Sequence, residues 1–395
     1  VFLQGGKVMT GFARCILVPS VLVFLLILSI PVSTAFAEKS EEEELAEIRD
    51  EIAKKGYHWT AGKTSVSGLS LEEMRKLCGA LPMSEADIAQ TPAFIPTGEE
   101  ITGSSFDWRD FGCVTPAKDQ LGCGSCWIFA PVGELESHML IYDGRYEDLS
   151  EQMVLSCHKT AGDCCSGGRV WETYKFIMKE GIADEACMPY GGDLAIDCEF
   201  HGCNITANMD SYESVDPQIE VIKEALLRGP VTASGFDVYY NFMYYESGCY
   251  EGPSGDFIGN HAVLIVGWND AMCGGEGAWI CKNSWGEDWG IDGFFYIKYG
   301  CCEIDGNPLQ LVYEPSPAKL TLAAPNGGET FIEGSDCTIG WITDRNREIP
   351  DAINIYVSFD GGARYSYSVV EGFESGNSFE WKFPTIPTSN ARVLI

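Results

Sequence analysis

The run Gln120-Leu-Gly-Cys-Gly-Ser-Cys-Trp127 contains the residue best suited to covalent chemistry, Cys126. A cysteine is a good nucleophile only as the thiolate, which a helix N-terminus and a nearby imidazolium both favour. Cys126 follows a glycine-rich loop and begins an apolar pattern that predicts a helix over residues 126–142. Because the positive end of that helix dipole would face the sulfur, the pattern predicts a nucleophilic cysteine that needs a histidine partner.

The chain has five histidines, and position excludes four of them as the partner of Cys126. His138 lies on the same predicted helix, and at ~1.5 Å per residue it would be roughly 18 Å away. The other three, in the N-terminal segment or beside cysteines in loop-like sequence, are His58, His158 and His201. His261 leads directly into a strand predicted over residues 262–268, which would hold its ring rigidly toward a cleft. By elimination, His261 is the candidate base.

A histidine base needs a hydrogen-bond acceptor on its other ring nitrogen. Asn283, in Lys282-Asn-Ser-Trp-Gly286, follows the next predicted strand, a position that suits a strand–loop–strand return. Trp285 would shield this hydrogen bond from water. Gln120 would aim its side-chain amide at the same pocket as the backbone N–H of Cys126, and two such donors form an oxyanion hole.

The body of the chain, residues 104–315, must position these side chains. Helical patterns come first, over residues 126–142, 151–157, 168–179 and 217–227. Strand patterns follow, over residues 262–268, 277–282, 293–298 and 309–313. Helices in the first half and strands in the second indicate an α+β unit built from two lobes.

The two segments that flank the body differ from it in composition. Residues 38–103 are mostly polar and carry a helix capping box at Ser70 and Glu73. They hold too little apolar sequence for a core of their own, so we expect them to pack on another part of the chain. Residues 316–395 form short alternating apolar runs between Gly, Pro and Asn turns, which is typical of an all-β sandwich. This C-terminal module has no catalytic cluster.

Residues 9–37 have the order of a secretory signal peptide: a basic region at Arg14, an apolar run over 16–30 and the cleavage motif Ala35-Phe-Ala37. The alternative is a retained membrane anchor, but the run is shorter than the ~20 residues that span a bilayer. We therefore expect a secreted, extracellular protein, with surface association left open, or delivery to a lysosome-like compartment in a eukaryote. We also expect the 395 residues to be a fragment of a longer protein.

Composition agrees with export and limits the partners. Seventeen cysteines are far more than a reduced cytosolic protein usually carries, and they suggest disulfides. A formal net charge of −32 repels phosphate groups, which argues against nucleic acid and anionic membranes as partners. Apolar residues make up 45% of the chain, enough for a sizeable core, so extensive disorder is excluded.

Three motifs in one order, Cys123-Gly-Ser-Cys-Trp127, Asn260-His-Ala262 and Lys282-Asn-Ser-Trp-Gly286, resemble the papain/cathepsin family of cysteine proteases. The resemblance covers about residues 104–315. It implies a two-lobed papain-like fold, with the cysteine on the helical lobe and the histidine and asparagine on the β lobe. It also implies an endopeptidase that acts on proteins or peptides and needs neither a metal nor an organic cofactor.

The resemblance assigns further residues by their positions in the motifs. Gly167 and Gly168 would offer backbone hydrogen bonds to the substrate, and Trp289 would line the far side of the cleft beside the tryptophan of the third motif. Asp305, or Asn307 just after it, would lie at the floor of the second substrate subsite. An aspartate there would accept basic as well as apolar side chains.

The family's disulfides and propeptide also map onto the chain. The resemblance implies the pairs Cys123–Cys165 and Cys157–Cys198, and it leaves the other cysteines of the body unassigned. Trp59-Thr-Ala-Gly62 and Arg75-Lys-Leu-Cys-Gly79 resemble the short propeptide of cathepsin B. Residues 38–103 would then inhibit the zymogen, with Cys78-Gly79 passing near Cys126. The long histidine-containing insertion of cathepsin B is absent from the sequence, which favours endopeptidase activity.

Three other interpretations remain open from the residues alone. Cys123 and Cys126 also have the spacing of a thiol–disulfide oxidoreductase. A zinc site would draw on Cys157, His158, Cys164, Cys165, Cys198, His201 and Cys203. The third is a catalytically inactive scaffold that binds a surface ligand through the C-terminal module. Pro131 leaves this interpretation open, because it lies inside the predicted helix that carries Cys126, where a proline costs ~3 kcal/mol.

Overall fold

The computed structural model describes most of the chain after residue 38. The described residues are 39–98, 101, 103–158, 164–192, 198, 202–313, 320–325, 329–332, 334–343, 353–359, 367–373, 378–384 and 391–394. The predicted signal peptide, residues 9–37, lies outside them. Within these ranges, no helix has both the length and the apolar character needed to cross a membrane.

Helices occupy the first half of the described chain. They are α1 (Glu41–Lys55), α2 (Leu71–Lys76), α3 (Glu85–Gln90), α4 (Cys126–Asp143), α5 (Glu151–Cys157), α6 (Val170–Glu180) and α7 (Ile219–Leu226). The helices predicted in the body appear within two residues of their expected bounds. The capping box predicted at the start of α2 is also present, because Ser70 accepts from the Glu73 N–H while the Glu73 side chain accepts from the Ser70 N–H.

Strands dominate the second half. They are β1 (Trp59–Ala61), β2 (Ser105–Asp107), β3 (Ser211–Ser214), β4 (Val231–Tyr239), β5 (Tyr245–Tyr250), β6 (Phe257–Asn269), β7 (Ala278–Lys282), β8 (Phe294–Lys298), β9 (Pro308–Val312), β10 (Leu320–Ala324), β11 (Asp336–Thr343), β12 (Ile353–Ser358), β13 (Tyr367–Phe373), β14 (Ser378–Lys382) and β15 (Arg392–Leu394). In the described chain, nine of them form one sheet in the order β1-β5-β8-β7-β6-β4-β9-β3, with β2 paired to β6.

Two hydrophobic clusters define the two lobes of the body. Helices α4, α5 and α6 enclose one cluster, centred on Trp127, Leu135 and Tyr174. The large sheet encloses the other, which contains Phe242 and Trp285 among many aromatic residues. Residues of the N-terminal segment (residues 38–103) belong to that second cluster, namely Leu45, Ile48, Trp59, Ala61, Val66, Met74, Leu77 and Phe94. The segment therefore packs on the β lobe; its weak apolar content predicted packing on another part of the chain, without saying which.

Helix α4 carries Cys126 and runs through the middle of the body. It is apolar around most of its circumference and mostly buried, which is typical of a central helix. The helix continues through Pro131 to Asp143 and ends at Gly144, whose φ of 60° is left-handed. Burial of its flanking turns offsets the ~3 kcal/mol that an interior proline costs, so Pro131 does not end the helix.

The C-terminal residues form two small sheets, with strand orders β10-β11-β14 and β13-β12-β15 among the residues that the structure describes. Cys337, Ile339 and Trp341 of the first sheet share a hydrophobic cluster with Ile355 of the second. This region is a β module, as the alternating pattern predicted. Its assignment to the Ig-like sandwiches stays a prediction.

A buried carboxyl group joins the two lobes. Glu134, inside α4, accepts hydrogen bonds from Thr232 Oγ1 and from the backbone N–H of Leu311, each at 2.6 Å, and from the hydroxyl of Tyr174. Thr232 lies in β4 and Leu311 in β9, so the contact ties the central helix to the sheet. Burial raises the pKa of Glu134 to about 8, although the three donors oppose the rise.

This pKa predicts a pH-dependent stability. A carboxyl group whose pKa rises on folding stabilises the fold fully below its unfolded pKa, near 4.5, and loses that contribution as the pH rises through about 8. Glutamine cannot ionise, so we expect the change in unfolding free energy caused by Glu134→Gln to be more favourable at pH 8 than at pH 5. The expected difference between the two pH values is about 1–3 kcal/mol. Urea titrations at both pH values measure this, with the surface variant Glu180→Gln as control. An equal effect at the two pH values would contradict the prediction.

Candidate active site

Strand β6 and the residues after β7 bring a histidine and an asparagine together. His261 lies within β6, and Asn283 follows β7, which pairs antiparallel with β6. His261 Nε2 is 2.8 Å from Asn283 Oδ1. An amide oxygen only accepts hydrogen bonds, so Nε2 carries the proton and Nδ1 keeps its lone pair. His261 Nδ1 has no hydrogen-bond partner among the described residues, which is the state that a base requires.

The indole of Trp285 covers this pair. Its ring stacks on the His261 ring with centroids 4.8 Å apart and an angle of 30° between the planes. Both side chains are buried. Asn283 Oδ1 also accepts the backbone N–H of Ser284 at 2.8 Å, and this second bond fixes the orientation of the amide. The structure thus places Trp285 where the sequence predicts a shield against water.

Cys126 is the first residue of α4 and is fully buried. It forms no disulfide, whereas its neighbour Cys123 is joined to Cys165 with an S–S distance of 2.04 Å. The oxidoreductase interpretation, which needs a Cys123–Cys126 pair, is therefore wrong. The backbone N–H of Ala262, the residue after His261, lies against the Cys126 thiol. Helix α4 and strand β6 thus meet at this sulfur.

The amide of Gln120 is held beside this sulfur by hydrogen bonds. Ser284 Oγ donates to Gln120 Oε1 at 2.6 Å, which turns the nitrogen of the amide toward the site. Gln120 Nε2 donates to the carbonyl of Cys123 at 2.7 Å and to the carbonyl of Leu77 at 2.9 Å. A carbonyl of the N-terminal segment thus occupies the donor that the sequence predicts for an oxyanion.

Residues 77–81 of the N-terminal segment cross the site, and Ala80 forms a parallel β-bridge with Gly168. Gly168 N–H donates to the carbonyl of Gly79 at 2.9 Å, and Leu81 N–H donates to the carbonyl of Gly168 at 2.8 Å. Ala80 N–H donates to the carbonyl of Asn260 at 3.1 Å. The backbone N–H of Gly79 lies against the Cys126 thiol, so the segment covers the nucleophile as the resemblance implied. Gly168 thus binds an extended backbone.

Water exclusion shifts both titrating groups toward their neutral forms. Burial raises the pKa of Cys126 to about 11, against the opposing effect of the backbone N–H groups of Ala262 and Gly79. Burial lowers the pKa of His261 to about 4, although the bond to Asn283 and a contact with the backbone of Leu77 oppose that change. Between these two values the covered site holds a thiol and a neutral imidazole rather than an ion pair.

Two further residues assigned by the resemblance have contacts of their own. Trp289 is fully buried while the N-terminal segment is in place, with its ring centroid 5.1 Å from that of Trp285, so its place on the far side of the cleft stays a prediction. Asp305 Oδ2 accepts the indole N–H of Trp279 at 3.2 Å and the backbone N–H of Gly300 at 2.8 Å. This carboxylate closes the turn before β9, so its place at a subsite floor, with the preference for basic side chains, stays a prediction.

Gly167 reaches the N-terminal segment by its backbone conformation. Its φ of 120° lies in the region that favours glycine, and a Cβ at this position would be 2.6 Å from the carbonyl oxygen of Gly79. The residue therefore lets the segment approach closely. Its predicted hydrogen bond to a substrate stays a prediction.

Two residues of the site escaped the sequence analysis. Ser284, inside the third motif, orients the Gln120 amide. The Tyr190 hydroxyl donates to the carbonyl of Gln120 at 2.9 Å and lies 2.6 Å from Ser125 Oγ. Tyr190 thereby fixes both ends of the loop that precedes Cys126. The spacing of Ser284 from Asn283 could have identified the serine, but no local pattern singles out the tyrosine.

The cysteines considered for zinc are largely engaged in disulfides. The structure joins Cys123 to Cys165 and Cys157 to Cys198, the two pairs that the resemblance implied. Two further bonds join Cys187 to Cys203 and Cys249 to Cys273. Four members of the proposed zinc set are therefore oxidised, whereas zinc binds thiolates. No group of metal-binding side chains occurs in the part of the chain that the structure describes.

A helix-borne thiol, a strand-borne histidine–asparagine pair and an amide donor between two lobes are the arrangement of the two-lobed cysteine peptidases. The family model described as papain family cysteine protease matches residues 102–311. The chain belongs to this family.

Two relatives from different kingdoms illustrate the match. Cathepsin J of Rattus norvegicus is 37% identical over 197 residues, which are 48% of this chain and 59% of the cathepsin. Ananain of Ananas comosus is 32% identical over 259 residues, 64% of this chain and 70% of ananain. The chain thus spans about three fifths of the length of the cathepsin J relatives of rat and mouse.

Similar solved structures include precursors. A recombinant stem bromelain precursor has a TM-score of 0.58 and 30% identity, and the match covers 69% of this chain and 90% of the precursor. A procathepsin B from Trypanosoma congolense has a TM-score of 0.61 and 25% identity, with 68% and 98% covered. Both of these similar structures are of precursor forms.

The two pKa shifts predict how the thiol reacts. We expect Cys126 in the uncleaved chain to react slowly with iodoacetamide from pH 5 to 9, because the thiol titrates near 11 there. Removal of the N-terminal segment readmits water and should increase the rate at pH 6 at least tenfold. The measurement is the alkylation rate of Cys126 against pH, followed by peptide mass spectrometry. Equal profiles before and after removal would contradict the role of burial.

The fit of Gly79 predicts a second effect. A Cβ on Gly79 would lie 2.0 Å from the carbonyl oxygen of Gly124, a backbone atom that cannot move aside cheaply. We expect Gly79→Ala to loosen the segment and to increase alkylation of Cys126 in the uncleaved chain at least fivefold. The matched control is Gly68→Ala, where the nearest atom is a side-chain oxygen of Glu41 at 3.7 Å. Unchanged alkylation in Gly79→Ala would show that the contact is not needed.

Proposed function

We propose that this chain is the precursor of a secreted cysteine endopeptidase that hydrolyses peptide bonds through Cys126, His261 and Asn283. The observation that carries the proposal is the 2.8 Å contact between His261 Nε2 and Asn283 Oδ1, formed next to the strand residue that touches the Cys126 thiol. It leaves Nδ1 of the imidazole available as a base. Membership in the papain family supports the same assignment.

The proposed mechanism uses these side chains in sequence. Once the site is open, the proton of Cys126 passes to His261, and the thiolate attacks the carbonyl carbon of the substrate. Gln120 Nε2 and the Cys126 N–H stabilise the oxyanion. His261 then donates its proton to the leaving amine, activates a water molecule for attack on the thioester and returns the proton to the sulfur. Asn283 holds the imidazole in the required tautomer.

We infer that residues 38–103 are an inhibitory propeptide of the short, cathepsin B-like kind. The support is twofold: the Leu77 carbonyl occupies the Gln120 donor, and Gly79 and Leu81 occupy both backbone groups of Gly168. A substrate needs the same donors and acceptors, so the two cannot bind together. The sequence Leu77-Cys-Gly79 lies at the centre of this contact.

We also propose that residues 104–315 are the protease domain and that residues 316–395 are an Ig-like module for adhesion or spacing. The two three-stranded sheets that share one cluster support the second assignment. Four disulfides in the described residues support export. The alternative is an inactive scaffold that binds a surface ligand, left open by Pro131 and by the C-terminal module. The uninterrupted helix α4 removes the first of these two supports.

Active-site labelling tests the proposed function. We expect an epoxysuccinyl inhibitor to label Cys126 stoichiometrically after removal of residues 38–103, and His261→Ala to abolish the label because the thiol loses its base. Asn283→Ala should lower kcat about 10²-fold, within the range of acid–base contributions. Mass spectrometry and hydrolysis of a fluorogenic peptide provide the measurements.

A second histidine supplies the control for this labelling. His158 lies against the Trp127 and Phe176 rings in the helical lobe, so His158→Ala should leave the label in place. An unlabelled processed protein that is correctly folded by circular dichroism would favour the scaffold over the enzyme.

A further inference from the structure

Residues 92–98 of the N-terminal segment occupy a groove that is separate from the catalytic site. Phe94 N–H donates to the carbonyl of Ser214 at 2.8 Å, and Ser214 N–H donates to the carbonyl of Pro92 at 2.7 Å. Ser214 ends β3, which is an edge strand of the large sheet. The segment therefore extends the sheet by a short parallel bridge between Ala93 and Ser214, a mode of recognition that reads backbone rather than sequence.

One side chain anchors this stretch. Phe94 is 5% exposed, whereas its neighbour Ile95 is 84% exposed. The guanidinium carbon of Arg228 lies 5.0 Å from the centroid of the Phe94 ring, a cation–π contact. Val215 packs in the same cluster as Phe94. The groove thus selects an aromatic side chain at one position and leaves the next position in solvent.

The rim of the groove recognises backbone N–H groups that follow the aromatic residue. The carboxylate of Glu224, on α7, accepts the N–H of Thr97 and, at 3.4 Å, the N–H of Gly98. These bonds lower the pKa of Glu224. Asp216 also lines the groove, whereas Glu213 is paired with Arg228, so an acidic residue placed beside Glu224 and Asp216 would be repelled.

Beside the bound residues 92–98, an open space of about 410 Å³ remains, lined by both parts of the chain. From the N-terminal segment, Phe94 and Pro96 line it, and from the body, Val215, Val221 and Pro308. None of the lining residues belongs to the site around Cys126 and His261. Loss of the segment would leave Ser214 without its edge partner and the aromatic pocket open.

We propose that this groove is a docking site for an extended segment of a protein substrate, one that carries an aromatic side chain and no acidic residue directly after it. The proposal rests on the proposed removal of residues 38–103, because only then is the groove open. Residues 92–98 show the chemistry that fits, since they fill the groove without touching the nucleophile. Docking there adds affinity for a whole protein and leaves the chemical step unchanged.

The test uses the protein from which residues 38–103 have been removed, with Cys126 blocked by the epoxysuccinyl inhibitor. If Cys126 takes up no label, residues 38–103 are removed with an added protease and the unblocked protein is used. The probe is a fluorescein-labelled peptide with the sequence of residues 90–98, followed by fluorescence polarisation. We expect saturable binding to the processed protein and none to the uncleaved chain, whose groove is filled. The peptide with Phe94→Ala should bind at least tenfold more weakly.

Variants of the groove locate the binding. Val221→Glu places a charge in the groove and should weaken binding at least tenfold, whereas Glu220→Ala, on the exposed side of α7 with a 72% exposed side chain, should not. In the unblocked enzyme, the unlabelled peptide should inhibit hydrolysis of a denatured protein by raising KM. It should leave hydrolysis of a fluorogenic dipeptide unchanged.

Three results would overturn the docking site: no saturable binding to the processed protein, equal binding of the Phe94→Ala peptide, or inhibition of the dipeptide as strongly as of the protein. These results are distinct from failure of the proposed function, which labelling of Cys126 reports separately. A labelled protein that does not bind the peptide refutes the docking site alone. An unlabelled protein that binds it refutes the peptidase alone.

Discussion

Exclusion of water from one thiol and one imidazole is the constraint on which the rest of the structure depends. In the covered site, burial raises the pKa of Cys126 and lowers the pKa of His261, so both groups are shifted toward their neutral forms. On the proposed function, the same pair would become a nucleophile and an acid once solvent and substrate replace the cover. The division of the body into two lobes makes both states possible, because the thiol belongs to one lobe and the imidazole to the other.

On the proposed function, inhibition and catalysis would use the same polar groups. Residues 77–81 engage the amide of Gln120 and the backbone of Gly168, which a substrate would also need. What distinguishes an inhibitor from a substrate is therefore the path of the backbone rather than the kind of hydrogen bond. The close approach of Gly79 to Gly124 fixes that path, since no residue with a side chain fits between the two backbones.

The sequence allowed the chemistry and most of the helices to be predicted, because motif spacing and helical periodicity are local signals. It did not reveal β4, where Gly235 and polar residues interrupt the apolar pattern of a strand that is fixed by its neighbours β6 and β9. The same limit explains Tyr190 and Asp305. Each has a hydrogen-bond partner that lies far away in the sequence. No local pattern shows which distant group a hydroxyl or a carboxylate will bond.

The N-terminal segment also solves a problem of the large sheet, which has two open edges. Strand β1, within the segment, pairs with β5 at one edge, and Ala93 pairs with Ser214 of β3 at the other. Unpaired edges attract other chains, so a segment that covers both edges while the sheet forms would protect the folding chain. Covering the nucleophile requires only the residues between these two edge contacts. The segment thus contacts both edges of the sheet as well as the site that it covers.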